Sequence, residues 1–176
     1  TLGLPKSRLR IREHKKDELA HYSKSTHDIE YLFPWGWGEL AGISNRTNYD
    51  LLAHSKHSGK ELSYYDELSK QHLVPYVIEP SFGLDRAIMA LLIEAYREED
   101  VINSKGIPEQ RISLKLNPLI APIQVAILPL SKKANLSKLA REIYQNIKSS
   151  TAINGMVYYD ETQSIGRRYR RQDEIG

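Results

Sequence analysis

Gly83 is the position that most restricts how this chain can fold. Before it lies an apolar, β-branched run from Leu73 to Ile78, then Glu79-Pro80-Ser81-Phe82. After it, Leu84, Ile88, Leu91, Leu92 and Ala95 recur at helical spacing. This order predicts a buried strand over 73–78, a tight turn at Gly83 and a helix over about 84–98. Sheet and helix must therefore share one architecture. Glu98, Glu99 and Asp100 oppose the dipole at the end of that helix, so fraying is expected there.

Upstream, residues 14–25 read as a helix with a modest apolar side formed by Leu19, Ala20 and Tyr22. Ile29, Tyr31 and Phe33 alternate with Asp28, Glu30 and Leu32, as a strand requires. Beyond Pro34, the alternation puts Trp35, Trp37, Glu39 and Ala41 on one face, and Gly36, Gly38, Leu40 and Gly42 on the other. Glycine repeated on one face means that something approaches the backbone closely. Residues 61–72 read equally as a short helix or a loop.

Residues 100–117 are polar, contain Gly106 and Pro108, and read as a connection, which places a domain boundary near 117. A new pattern follows. Residues 124–130 suggest a buried strand of parallel type, 134–149 an amphipathic helix, 156–159 a second strand and 165–175 a last helix. Ser164 is placed to cap that helix and Gly176 to close it. The order β-α-β-α is that of an α/β domain. The chain opens on Thr1 rather than Met and stops just past a helix. Both features raise the expectation of a segment from a longer protein, with at least one strand of its sheet missing.

Composition narrows the class. There is no cysteine, which excludes disulfides and thiolate metal sites and points to a reducing, cytoplasmic setting. No apolar run approaches the roughly 20 residues of a membrane span, so no membrane partner is expected. The net charge of +3 is small, but Lys6, Arg8, Arg10, Arg12, Lys15 and Lys16 crowd one end and Arg167, Arg168, Arg170 and Arg171 the other. Two readings stand for each cluster: a solvated surface, or contacts to a polyanion such as RNA. His54, His57 and His72, and the pair His21 and His27, lack a convincing metal-binding arrangement, and no metal site is expected.

The chemistry concentrates in Glu79–Arg86. Glu79 and Ser81 are two residues apart on an extended segment and face the same side. A carboxylate beside a hydroxyl suits an ammonium group. Arg86, in the first helical turn, can reach a phosphate. The plainer alternative is that Glu79 and Arg86 pair with neighbouring charges and the rest is core.

Glu79-Pro80-Ser81-Phe82-Gly83-Leu84-Asp85-Arg86 resembles motif 3 of the class II aminoacyl-tRNA synthetases, and in this form the glycyl-tRNA synthetases. The segments Phe33–Ile43, Asn45–Leu51 and Ser164–Gly176 resemble the same family, in the family's order. The resemblance implies the latter half of an antiparallel class II catalytic domain over 1–117, then an incomplete α/β anticodon-binding domain over 118–176. It implies ATP-dependent activation of glycine with Mg²⁺, then transfer to the 3′ end of glycine tRNA, in a homodimer. Motifs 1 and 2 are absent, so the segment alone is expected to be inactive. Glu79, Pro80, Ser81, Phe82 and Gly83 would bind glycine. Glu39, Leu40, Gly83, Leu84, Asp85 and Arg86 would bind ATP, with Glu39, Glu79 and Arg86 as the catalytic set. Arg167, Arg168, Arg170 and Arg171 would contact tRNA, with Tyr169 more at home against the sheet than on a base. Trp35 and Trp37 read either as stiff pocket walls or as core. The competing expectation is a synthetase-derived RNA-binding module without catalysis.

Overall fold

A computed structural model describes residues 2–103, 106–150, 153 and 155–176. The chain divides into two compact units. One spans Pro5–Ala90, and the other comprises Leu91–Gly176 with the extreme N terminus. The expected boundary near 117 falls inside the second unit.

The first unit contains β1 (Leu9–Glu13), β2 (Ser25–Phe33), β3 (Gly36–Asn45), α1 (Tyr49–Ser58), β4 (Tyr64–Asp66), β5 (Gln71–Leu73), β6 (Ile78–Phe82) and the start of α2 (Leu84–Ala95). Strands β1, β2, β3 and β6 form one antiparallel sheet in that order. Several expectations are corrected here. Residues 14–25 are not a helix. Glu18 instead accepts hydrogen bonds from the Lys15 backbone N–H and the Arg12 guanidinium, which holds a turn and releases the chain into β2. The apolar run 73–78 is not a buried strand: 74–77 carry no regular structure, and the strand lies later, at Ile78–Phe82. Pro80 is tolerated there because β6 is an edge strand. Residues 61–72 contain most of the β4–β5 hairpin, and α1 had no counterpart in the sequence reading.

The decisive detail is a bulge. Ile29 pairs with Ala41 but Glu30 pairs with Glu39, which leaves Leu40 as an extra residue in β3. An extra residue shifts the side-chain alternation by one. Ala41 thereby leaves the face of Trp37 and Glu39, and Gly42 takes its place. Neither tryptophan is core. Trp35 is 68% exposed and stacks on Phe33, and Trp37 is 38% exposed beneath the Arg10 guanidinium. Buried Tyr31 and Phe33 meet edge-to-face at 4.8 Å. Gly38 lets Phe33 lie against the backbone, since a β-carbon there would sit 3.0 Å from the ring.

The second unit contains β7 (Tyr96–Ile102), β8 (Pro108–Leu114), β9 (Ile123–Ile127), α3 (Ala134–Lys148), β10 (Met156–Tyr159) and α4 (Ile165–Ile175). The helix expected to fray at 98 stops at Ala95, and the polar stretch after it is a β7–β8 hairpin. Its charges are met across the strands: Glu99 faces Arg111 and binds Lys115, and Glu98 accepts from Gln110. Strands β9 and β10 pair in parallel, as expected, but β9 ends at Ile127 rather than 130 and is only half-buried, while α3 and α4 fall where helical periodicity put them. Ser164 occupies the N-cap of α4, but its side chain makes no capping bond. Its carbonyl accepts the Arg168 backbone N–H instead.

Arg168 is only 1% exposed. Its guanidinium donates to the carbonyls of Pro129 and Asp160. Asp160, also buried, is bound by Arg171 and by Thr162. Burial works against the Asp160 carboxylate, but the bonds from Thr162 and Arg171 outweigh it and lower its pKa to about 2. A carboxyl with an ordinary value near 3.9 that falls to about 2 on folding stabilises the fold above its ordinary range. That contribution disappears as pH drops through about 2.

Four stability outcomes follow for the full-length protein. Gly38→Ala should lower stability by about 1–3 kcal/mol in denaturant unfolding through its clash with Phe33. Gly42→Ala, whose added carbon would have only ordinary contacts, should change it by less than about 1 kcal/mol. Arg168→Ala, which leaves two buried carbonyls short of a donor, should cost about 3 kcal/mol. Asp160→Asn should flatten the fall in stability between about pH 4 and pH 2, read by acid unfolding.

Candidate functional site

The bulge gives the four-stranded sheet one strongly polar face. Along β1, Arg10 lies opposite Glu30 and Arg12 opposite Asp28. Glu30 and Asp28 are both buried, and the arginines neutralise them. Arg10 binds Glu30 at 2.5 Å, and Arg12 reaches both acids at 3.3 Å. His14 adds a 2.7 Å contact to Asp28 Oδ2. Part of the N-terminal basic cluster is therefore spent inside the protein. The signal was present in the sequence: Arg-x-Arg and Asp-x-Glu are complementary when laid antiparallel.

Beside this ladder, Asp28, Gly42 and Ser81 stand opposite one another on β2, β3 and β6. A β-carbon placed on Gly42 would have as nearest neighbours Glu39 Oε1 at 3.4 Å, Ser81 Oγ at 3.5 Å and Asp28 Oδ1 at 3.6 Å. Three oxygens from three strands thus surround one small space, whose floor is a residue without a side chain. Two are carboxylate oxygens, so the space favours a compact donor carrying positive charge.

The turn after β6 places the remaining candidates. Gly83 donates its N–H to the Leu40 carbonyl at 2.8 Å, which ties the start of α2 to β3. From the first turn of α2, Arg86 Nη1 donates to the Glu39 carbonyl at 2.9 Å. Arg86 thus stands next to Glu39, while Phe82, Leu84 and Asp85 are exposed around the turn. Pro80 pairs with Ile43, one position off the Ser81–Gly42 row and on the opposite face.

Glu79 is one row further along the same face as Ser81, opposite Ser44. Its carboxylate is bound by Arg46 at 2.6 Å. Arg46 also grips Asp50 and lies 3.9 Å over the Tyr22 ring. This bond to Arg46 lowers the Asp50 pKa below its usual value. Glu39, Ser81 and Arg86 are therefore brought together, with Glu79 at the border and engaged by a neighbour. Sequence reasoning missed Asp28, Gly42 and Arg46. Among the described residues, no group of three or more His, Asp or Glu side chains is arranged to hold a metal ion, and no helix is long and apolar enough to cross a membrane.

The arginines of α4 divide by role. Arg168 is withdrawn into the interior, Arg171 is held by Asp160, Thr162 and Gln163, and Arg170 pairs with Glu174. Arg167 is exposed and has no side-chain partner among the described residues. Tyr169, expected against the sheet, is 58% exposed. On a helix, 168 faces inward here and its neighbour 169 is carried outward.

Comparison with known proteins agrees with both units. A family model described as an anticodon binding domain matches residues 124–176. Over 174 residues the chain is 53% identical to the glycine–tRNA ligase of Caldanaerobacter subterraneus subsp. tengcongensis, covering 99% of this chain and 35% of that protein. It is 50% identical to the glycine–tRNA ligase of Clostridium perfringens, with 99% and 36% covered. For that of Mycolicibacterium vanbaalenii the values are 49%, 99% and 37%. The chain spans little more than a third of the length of these relatives. The similarity runs from end to end of this chain, with an anticodon-binding segment in its second unit, so the chain is similar throughout to one part of the glycine–tRNA ligases.

Proposed function

We propose that this chain supplies half of the amino-acid and ATP site, and part of the tRNA-binding surface, of a glycine–tRNA ligase. The observation that carries the proposal is the convergence of Glu39, Ser81 and Asp28 over Gly42, with Arg86 bound to the Glu39 carbonyl. Glycine has no side chain to grip, so its affinity must come from its two charged ends. Its ammonium carries three N–H donors, and the space over Gly42 offers three acceptor oxygens. A larger amino acid would have to displace sheet backbone or these side chains, at a cost on the order of 1–3 kcal/mol.

In this reading ATP lies along the Gly83–Arg86 turn, beside Glu39 and Leu40, where the free N–H groups of Arg86 meet its phosphates. The carboxylate of glycine attacks the α-phosphate, the bond to the β-phosphate oxygen breaks, and pyrophosphate leaves. A hydroxyl of the 3′-terminal ribose of glycine tRNA then attacks the glycyl carbonyl of the adenylate, the bond from that carbonyl to the phosphate oxygen breaks, and AMP leaves. Such a reaction depends on positioning and charge neutralisation rather than a strong base. Mg²⁺ would screen the phosphates. The described residues form no group of three or more His, Asp or Glu side chains to hold it. Glu79 would act from the border of the pocket, exchanging its bond to Arg46 for the ligand. A homodimer in the cytoplasm completes the proposal.

Three outcomes in the full-length protein test it. Ser81→Ala and Glu39→Gln should each lower glycine-dependent ATP–pyrophosphate exchange at least about 10-fold, while tRNA binding stays within 2-fold (about 0.4 kcal/mol). Gly42→Ala should retain the wild-type melting temperature and lose exchange through a raised KM for glycine; normal exchange in that variant would sink the pocket assignment. Arg167→Ala should weaken tRNA binding several-fold and spare exchange, whereas unchanged affinity would return that side chain to a solvated role.

A further inference from the structure

Asp28 turns its Oδ1 to the space over Gly42, and what holds its other oxygen decides whether it keeps that orientation. The torsion about the last carbon–carbon bond of an aspartate is broad and roughly two-fold, so a carboxylate held at neither oxygen turns easily. At Oδ2, His14 Nε2 lies at 2.7 Å and Arg12 Nη2 at 3.3 Å.

The two partners are not equivalent. The Arg12 guanidinium is divided among three acids. Its Nη1 donates to both oxygens of Glu18 at 3.1 Å, and its Nε lies 3.3 Å from Glu30 Oε1. His14 binds no second carboxylate among the described residues, and its contact to Asp28 is the shorter of the two. Because an ionised carboxylate only accepts, Nε2 carries the hydrogen. The backbone beneath the ring is tied on both sides. The His14 N–H donates to the Thr26 carbonyl at 2.9 Å, which continues the β1–β2 ladder one residue past Glu13. The Lys15 N–H is bound by Glu18.

We infer that His14 is a positioning residue of the pocket over Gly42: its ring N–H fixes Asp28 Oδ2, and Oδ1 is thereby presented to the substrate ammonium. The inference rests on the proposed function and adds a residue that never touches the substrate. With the imidazole in place, the carboxylate is oriented before the ligand arrives, and binding does not bear the cost of ordering it. Without it, Arg12 alone anchors the acid, and either oxygen can turn to the guanidinium. Asp28 would hold the ammonium alike before and during attack on the α-phosphate, so loss of its orientation appears in KM rather than in kcat.

The test measures glycine-dependent ATP–pyrophosphate exchange in the full-length protein. His14→Ala should raise the KM for glycine about 10-fold, with kcat and the KM for ATP within about 2-fold of wild type. KM does not depend on how much of the protein is folded, so a loss of stability does not imitate this result. His14→Gln, whose amide nitrogen can take the place of Nε2, should return the glycine KM to within about 2-fold of wild type. Asp28→Ala should raise that KM by itself, and adding His14→Ala to it should raise it no further. A wild-type glycine KM in His14→Ala would overturn this inference alone. So would a His14→Gln KM as high as that of His14→Ala, or a His14→Ala effect undiminished in the Asp28→Ala background. An unchanged glycine KM in Asp28→Ala would overturn it together with the pocket assignment.

Discussion

The extra residue at Leu40 governs the first unit. Side chains on a strand alternate strictly, so without the bulge Ala41 would share a face with Glu39 and Gly42 would turn away. The methyl of Ala41 would then lie among the acids, and no space would open between Glu39, Ser81 and Asp28. With the bulge, the only residue type lacking a side chain sits where three strands bring their oxygens together. The apolar Tyr31 and Phe33 remain on the other face, where Gly38 makes room for the ring.

The acids on this face are expensive to bury, and the fold meets the cost locally. A buried carboxylate without a partner is strongly destabilising. β1 supplies Arg10 and Arg12 in register with Glu30 and Asp28, and His14 adds a third contact. Asp28 Oδ2 is occupied by these partners, and its Oδ1 is the oxygen it turns to the space over Gly42. One carboxylate therefore serves both the stability of the sheet and the shape of the pocket.

The second unit solves the same problem around Asp160. Its carboxylate lies past the end of β10 and is met by Arg171 and Thr162, while Arg168 fills the space beneath by binding two carbonyls. An arginine-rich helix is thereby anchored by some of its own charges. Arg167 and Tyr169 are exposed, and of its arginines Arg167 alone has no side-chain or carbonyl partner among the described residues, a different set from the one that counting cations suggests.

Much was legible in the sequence because it is local. Periodicity placed α3, α4 and β10 within a residue or two, and the Glu79–Arg86 segment declared a turn and a helix start, although its strand was expected too early, at 73–78. Local pattern failed where distant partners decide. The hairpins β4–β5 and β7–β8 are built from polar segments whose charges are satisfied only across the strands. The assembly of Asp28, Gly42 and Ser81 depends on the registry of three strands and on one bulge. The burial of Arg168 depends on carbonyls 39 and 8 residues away. The sequence by itself determined which chemical groups were available and where the chain could turn. Tertiary structure alone decided which of them share a face, because register and burial come from contacts between residues far apart in the chain.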